Sequence, residues 1–419
     1  MANPLRLAAQ ATNGLFKRVG IDPYSFYLHK WPAAKLASAL RHKGRLEQGG
    51  LSLLLDLQAT QSLPQVGRDF IEKLSAAGEI PYSIFDTHVP GGKASRIPGC
   101  DYKRFRSLSP NEVKYDFLLQ FVAGDSIINR RHPVVFTPFW EFQSGLFELK
   151  PDLLKGTRGA IVFSQFCFDY FRAHAPADYP IWRMPYPLNL NPQVSGRNET
   201  RQRFGIPADC FAVFFNFDIR SGYDRKNPEG TMEAFAKAFG KEHAARLILK
   251  VSSAEADLSR MRALREKANM LGIDERHILI TDNLPRRDML SLIGACDVYL
   301  SLHRGEGLGL GMLEAMSLGV PVVATNYGGN TDFCTEETAF LVPYQLIKPQ
   351  TDFPLYKYVR EWAEPDVDMA AEHIRSVFQS SALKETKTLA AKEFVKKHFQ
   401  MEKFVKTVCA CMKNASSLR

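Results

Sequence analysis

Residues 304 to 314 read RGEGLGLGMLE, with glycines at 305, 307, 309 and 311. An apolar run, Asp297–Leu302, precedes this turn, a helical run, Met312–Leu318, follows it, and Val320–Thr325 is apolar again. Strand, glycine turn, helix and strand in that order form a parallel βαβ unit, which confines the fold to the α/β class. Glycines there let the backbone come close to a ligand, and the helix N-terminus offers unpaired N–H groups and partial positive charge. That arrangement suits a diphosphate. A dinucleotide fingerprint needs G-x-G-x-x-G, and the third glycine does not fall at the required place, so an NAD site is disfavoured.

Similar units extend both ways along the chain. Leu51–Leu57 (LSLLLDL) reads as a buried strand, followed by a loop (Gln58–Gly67), an amphipathic helix (Arg68–Ala77) and a strand at Tyr82–Phe85. Further strands are expected at Asp116–Ala123, Pro133–Phe136 and Gly159–Phe163, with a helix at Gln165–His174. The proline-rich run Met184–Pro192 marks an interdomain linker. Beyond it strands are expected at Ala212–Phe217, Leu247–Val251, Ile278–Thr281 and Val298–Leu302, alternating with helices. At 419 residues two domains are the prior. We expect a basic leader over 1–48, an N-terminal domain over 49–193 and a C-terminal domain over 194–386. A last segment, 387–419, carries a helix at Lys387–Val408 that packs at the domain junction.

Composition excludes several classes. No run reaches the roughly 20 apolar residues needed to span a bilayer, and residues 1–20 lack a signal-peptide core. Seven scattered cysteines in mostly apolar surroundings suit reduced thiols and a cytosolic compartment. The net charge is +9, and residues 1–50 carry eight basic side chains against two acidic ones. This asymmetry suggests an anionic partner, with an acidic membrane surface and peripheral attachment left open; a solvated face explains it equally well. Nucleic acid has no supporting motif.

Glu306 lies in the glycine turn and Glu314 about one turn into the helix, on the face that looks back at a ligand. One carboxylate can accept hydrogen bonds from sugar hydroxyls, the other from a ribose. Taken singly they read as a helix cap and a solvated residue; both beside four glycines favour a site. DVYLSLHRGEGLGLGMLEAMSLGVPVVATNYGGNTDF resembles the donor-site signature of retaining GT-B glycosyltransferases, of the family 4 or group 1 type that builds polysaccharides and O-antigens. The resemblance is strong over about 210–370, moderate over 51–193 and absent from 1–48. It implies two Rossmann-like domains facing a cleft, with a C-terminal helix crossing back. It also implies a metal-independent hexose transfer from a GDP- or UDP-sugar to a glycan or lipid-linked acceptor, with retention of configuration. Glu306 would then bind hydroxyls of the transferred sugar and Glu314 the ribose. Gly307, Leu308, Gly309 and Leu310 would line sugar and phosphates. Gly311 departs from the proline most common in the family.

The loop after Ala212–Phe217 (IRSGYDRKNPEG) resembles the family's cationic loop. Lys226, with Arg225 as partner, would stabilise the charge gathering on the departing diphosphate, and Arg220 is a further candidate. Asp366-Val367-Asp368 matches a metal-binding string but opens a helix, so capping is expected and no metal site is assigned. Asn283 and Leu284 are candidates for contacting the base. In the N-terminal half, FTPFWEFQSG resembles the family's Trp-Glu segment: Trp140 could stack on an acceptor sugar and Glu141 hydrogen-bond it, or the pair could be core and surface. His88, or His132, stands in for a cleft histidine that many relatives carry. A sugar-nucleotide epimerase, a phosphorylase and a non-catalytic sugar-nucleotide-binding scaffold remain alternatives.

Overall fold

In the computed structural model the described residues are 47–55, parts of 67–86, 115–121, 134–155, 157–240, 244–400 and most of 403–411. Residues 1–46 of the leader, His88 and His132 lie outside them. The first lobe is a parallel sheet of order β2-β1-β3-β4-β5-β6. Its strands are β1 (Glu47–Leu55), β2 (Tyr82–Asp86), β3 (Tyr115–Phe121), β4 (Val134–Phe136), β5 (Thr157–Val162) and β6 (Ile181–Arg183). Helix α1 (Gln165–His174) follows β5, its N-terminus capped by Ser164, whose side chain accepts from the Cys167 N–H.

The second lobe is another parallel sheet, of order β12-β11-β10-β7-β8-β9. It comprises β7 (Phe211–Asp218), β8 (Ala245–Ser252), β9 (His277–Ile280), β10 (Val298–Ser301), β11 (Val322–Thr325) and β12 (Phe340–Val342). Strands buried on both faces need continuous apolar sequence, and FAVFFNFD supplies it. Side chains alternate across the pleat. Phe211, Val213, Phe215 and Phe217 enter one apolar cluster, and Ala212 and Phe214 the other. The chain runs outward from β7 through β8 to β9, then returns to β10 on the other side of β7. This reversal is a topological switch point, where the carboxyl ends of two neighbouring strands open a crevice.

Around it stand α2 (Tyr223–Lys226), α3 (Pro228–Phe239), α4 (Arg286–Gly294) and α5 (Leu310–Leu318). Helix α5, LGMLEAMSL, is apolar on all sides, as a buried helix must be. Glu314 is its one ionisable side chain. A two-stranded antiparallel ribbon, β13 (Tyr344–Ile347) with β14 (Trp362–Pro365), leads to α6 (Val367–Gln379) and α7 (Ser381–His398).

The run Met184–Pro192, after the last strand of the first sheet, has no regular structure, and Met184, Tyr186 and Leu188 within it are buried. One expectation changes. The final helix is not continuous over Lys387–Val408: α7 ends at His398, and helix resumes at 403. The break places buried Phe399 against Phe333 of the second lobe, with ring centroids 6.2 Å apart. Phe404 then meets Phe70 of the first lobe edge-on at 4.7 Å. One apolar cluster thus joins Leu51, Leu53 and Phe70 to Met312 and Met316 through Val395, Phe404 and Val408. Deleting a fully buried ring costs ~3–5 kcal/mol. Phe404→Ala should therefore lower the unfolding free energy from urea titration by about that amount, and unchanged unfolding curves would show that the seam is not holding the lobes.

Candidate functional site

Loops from both lobes meet at the crevice beside β7 and β10. Beyond β7, Asp218 caps a short turn and α2 presents Arg225 and Lys226. Asn227 then takes the left-handed conformation (φ 52°), caps α3 and donates from Nδ2 to the Leu302 carbonyl at 2.9 Å. The cationic pair is thereby tied to the end of β10.

Arg225 is 3% exposed, and each guanidinium nitrogen is engaged. Nε donates to Tyr356 Oη (2.9 Å), Nη1 to Gly305 O (2.7 Å) and Nη2 to Ser221 O (2.7 Å). Glu141 lies 3.4 Å from Nη2 and Glu306 lies 3.7 Å from Nη1. In this arrangement its donors fix the turn. Lys226 Nζ bonds Glu306 Oε2 and remains partly exposed. Burial pushes the Glu306 carboxyl up, but Lys226, Arg225 and His303 outweigh it and hold its pKa down at about 2. His303, fully buried, is pushed down to about 4 by burial. Its Nε2 faces the Tyr327 carbonyl (2.9 Å) and Asn330 Oδ1 (3.2 Å), so the neutral ring carries its proton there.

Glu314 is 3% exposed, and its Oε1 lies 2.5 Å from Arg286 Nη1 at the start of α4. Between the two glutamates stands Tyr299, whose hydroxyl donates to Asn216 Oδ1 at 2.8 Å. Burial raises its pKa, and both carboxylates add to the rise.

The glycines serve a different purpose from the one the sequence suggests. A Cβ on Gly305 would stand 2.5 Å from Phe142 and 2.7 Å from Glu141 O, so the N-terminal lobe occupies that space. On Gly311 it would stand 2.2 Å from Tyr299 Oη, which accounts for the missing proline. Gly309 alone needs a left-handed backbone, φ 91°, as the cap of α5. Helix α5 begins at Leu310, two residues earlier than expected, with Gly307 and Leu308 buried just before it.

From the first lobe, Ser164 Oγ donates to Gly307 O at 2.6 Å, and Gln165 N–H donates to Asp332 Oδ2 at 2.8 Å. Glu141 faces Arg225, and its carboxyl is raised by burial, with Arg225 opposing. Trp140 is 2% exposed; its Nε1 donates to Ser144 O (2.9 Å), and its ring packs edge-on against Phe142 and Tyr356. It has no free face for a sugar, so the stacking role is corrected to a core role. Arg220 folds onto Asp218 with contacts of 2.9–3.2 Å. Asn283 Oδ1 is buried without a hydrogen-bond partner among the described residues, and Leu284 packs on the core beside it. Asp366 caps α6 through the Met369 N–H, and Asp368 pairs with Lys237 on the surface. Sequence reasoning missed Arg286, Ser164, Tyr299 and Asp332; only three-dimensional proximity connects them to the turn.

Residues 220–349 match the family model of glycosyl transferases group 1. The match lies within the C-terminal lobe, and the two-lobed fold is of the GT-B type. Mannosylfructose-phosphate synthase of Agrobacterium fabrum is 26% identical over 136 residues, 32% of this chain and 29% of that protein. The lipopolysaccharide core mannosyltransferase LpsB of Rhizobium meliloti is 33% identical over 92 residues, 21% of this chain and 25% of that protein. The chain thus spans less than a third of these named relatives. Among solved structures, Anabaena Alr3699/HepE in complex with UDP and glucose superposes with a TM-score of 0.60 at 16% identity, covering 88% of this chain and 100% of that one. At that identity the likeness shows the GT-B fold.

Because folding lowers the Glu306 pKa from 4.5, the carboxylate stabilises the GT-B lobe fully above pH 4.5 and loses its effect as pH falls toward 2. The stability difference between wild type and Glu306→Gln should shrink by ~2 kcal/mol from pH 6 to pH 3. Parallel urea titrations of the two proteins check this, and equal pH slopes would contradict it.

Proposed function

We propose that this chain is a retaining glycosyltransferase that moves a hexose-type sugar from a GDP- or UDP-sugar to a glycan or lipid-linked acceptor. In this reading residues 194–386 hold the donor and 49–193 receive the acceptor. The observation that carries it is the grouping of Lys226, Glu306 and Glu314 at one topological switch point, under the carboxyl ends of β7 and β10. A nucleotide-sugar offers an anion and two sets of hydroxyls, and this grouping offers a cation and two carboxylates. Anabaena Alr3699/HepE has been seen in complex with UDP and glucose and with UDP-glucose, which supports the same ligand class here.

When the donor breaks, the electrons of the C1–O bond move onto the diphosphate. Lys226 stabilises that charge, because Arg225 keeps Glu306 from neutralising it alone. The acceptor oxygen bonds C1 on the face that the diphosphate leaves, and the acceptor proton passes to a departing phosphate oxygen. No protein base is needed for this step. Glu306 accepts hydrogen bonds from the sugar and orients it. The chemistry asks for no metal, since lysine supplies the charge. Cytoplasmic residence, with contact to an acidic membrane surface through the basic leader, fits a lipid-linked acceptor and belongs to the same proposal.

The test is turnover with UDP-glucose, UDP-N-acetylglucosamine and GDP-mannose, following nucleotide release and the anomeric proton of the product by NMR. Transfer should keep the donor's α configuration, and Lys226→Ala should lower kcat ~10²–10³-fold with the fold intact. A β-linked product would overturn retention. Full activity in Lys226→Ala would remove lysine from the step.

A further inference from the structure

Glu314 raises a physical difficulty that the donor-site reading alone does not resolve. A carboxylate 3% exposed on an otherwise apolar helix is costly to bury without a counter-ion. The neighbouring Tyr299 does not correct this, because its hydroxyl is directed to Asn216. Arg286 does. It starts α4, stands beside the Asn283–Leu284 loop, and places Nη1 2.5 Å from Glu314 Oε1 while its own side chain is 30% exposed. The counter-ion thus comes from a different helix, at the rim of the cleft.

We propose that Arg286 is the positioning residue for the ribose subsite: its ion pair supplies the buried Glu314 with a counter-ion and holds its side chain in place, and so sets the preference for a ribose carrying its 2′-hydroxyl. The inference rests on reading the cleft as a nucleotide-sugar site, and assigns discrimination between ribose and deoxyribose to a residue outside the glycine signature. A lysine at 286 keeps a positive charge beside Glu314, so it can take over most of the role.

The experiment compares affinities for UDP and 2′-deoxy-UDP, and for GDP and 2′-deoxy-GDP, by calorimetry. Wild type, Arg286→Gln, Arg286→Lys, Glu314→Gln and the double variant Arg286→Gln/Glu314→Gln are used. Wild type should favour the ribonucleotide ~10-fold or more, as expected for a hydrogen bond to a charged acceptor. Arg286→Gln should bring that ratio close to that of Glu314→Gln, Arg286→Lys should keep most of it, and the double variant should look like Glu314→Gln alone. A merely structural arginine would weaken both nucleotides equally. An unchanged ratio in Arg286→Gln, or equal losses for both sugars, would overturn the inference and leave the nucleotide-sugar reading standing. If neither UDP nor GDP binds the wild type, the nucleotide-sugar reading itself fails, and this inference fails with it.

Discussion

The buried guanidinium of Arg225 is the point on which the site depends. It is charged, nearly inaccessible, and stable there because backbone carbonyls, a phenol and two carboxylates surround it. Those partners come from the turn before α2, the glycine turn, the segment before β14 and the N-terminal lobe. An ion buried in this way cannot lose one partner cheaply, so it holds four separate pieces of chain in a fixed relation. Lys226, the next residue, inherits that fixity. Its amine reaches Glu306 because Arg225 has already placed both the helix and the turn.

The contact between lobes follows the same logic at the level of sterics. The turn is glycine-rich because the Phe139–Phe142 segment and Ser164 come so close to it that a Cβ at 305 would collide with protein. Ser164 takes part as the cap of α1, so the helix start and the donor turn share one hydroxyl. The seam continues through Phe399 and Phe404, which carry apolar contact from one lobe to the other along the end of the chain. Polar contact at the cleft and apolar contact behind it leave the crevice as the place where the lobes meet without filling the space.

Much of this was legible in the sequence, for physical reasons. Continuous apolar runs of four to eight residues between glycine turns identify parallel strands, and the α/β alternation follows. Glu306, Glu314 and Lys226 stand out because charges beside an apolar strand or inside an apolar helix are expensive without a purpose. What the sequence could not express was which neighbour answers each charge. Arg286 is one of two adjacent arginines on an ordinary amphipathic helix, and nothing local separates it from Arg287. Trp140 misled because aromatic residues suit both sugar faces and cores, and only its 2% exposure distinguishes them. The break at Phe399 was hidden because the apolar spacing continues across it at nearly the helical period.

Both carboxylates of the site are paired before any ligand arrives: Glu306 with Lys226, and Glu314 with Arg286. A ligand must therefore exchange partners as it enters. A sugar hydroxyl offered to Glu306 gains little unless Lys226 finds another anion, and the phosphates bound by Lys226 must in turn compete with Glu306. Binding is favourable only for a molecule that brings hydroxyls and negative charge together at the right separation. A free sugar has the hydroxyls but leaves the lysine unanswered, while inorganic phosphate satisfies the lysine but strands the glutamate. On the proposed function, the pre-formed pairs act as a filter in favour of the intact nucleotide-sugar, and they give each of these carboxylates a counter-ion.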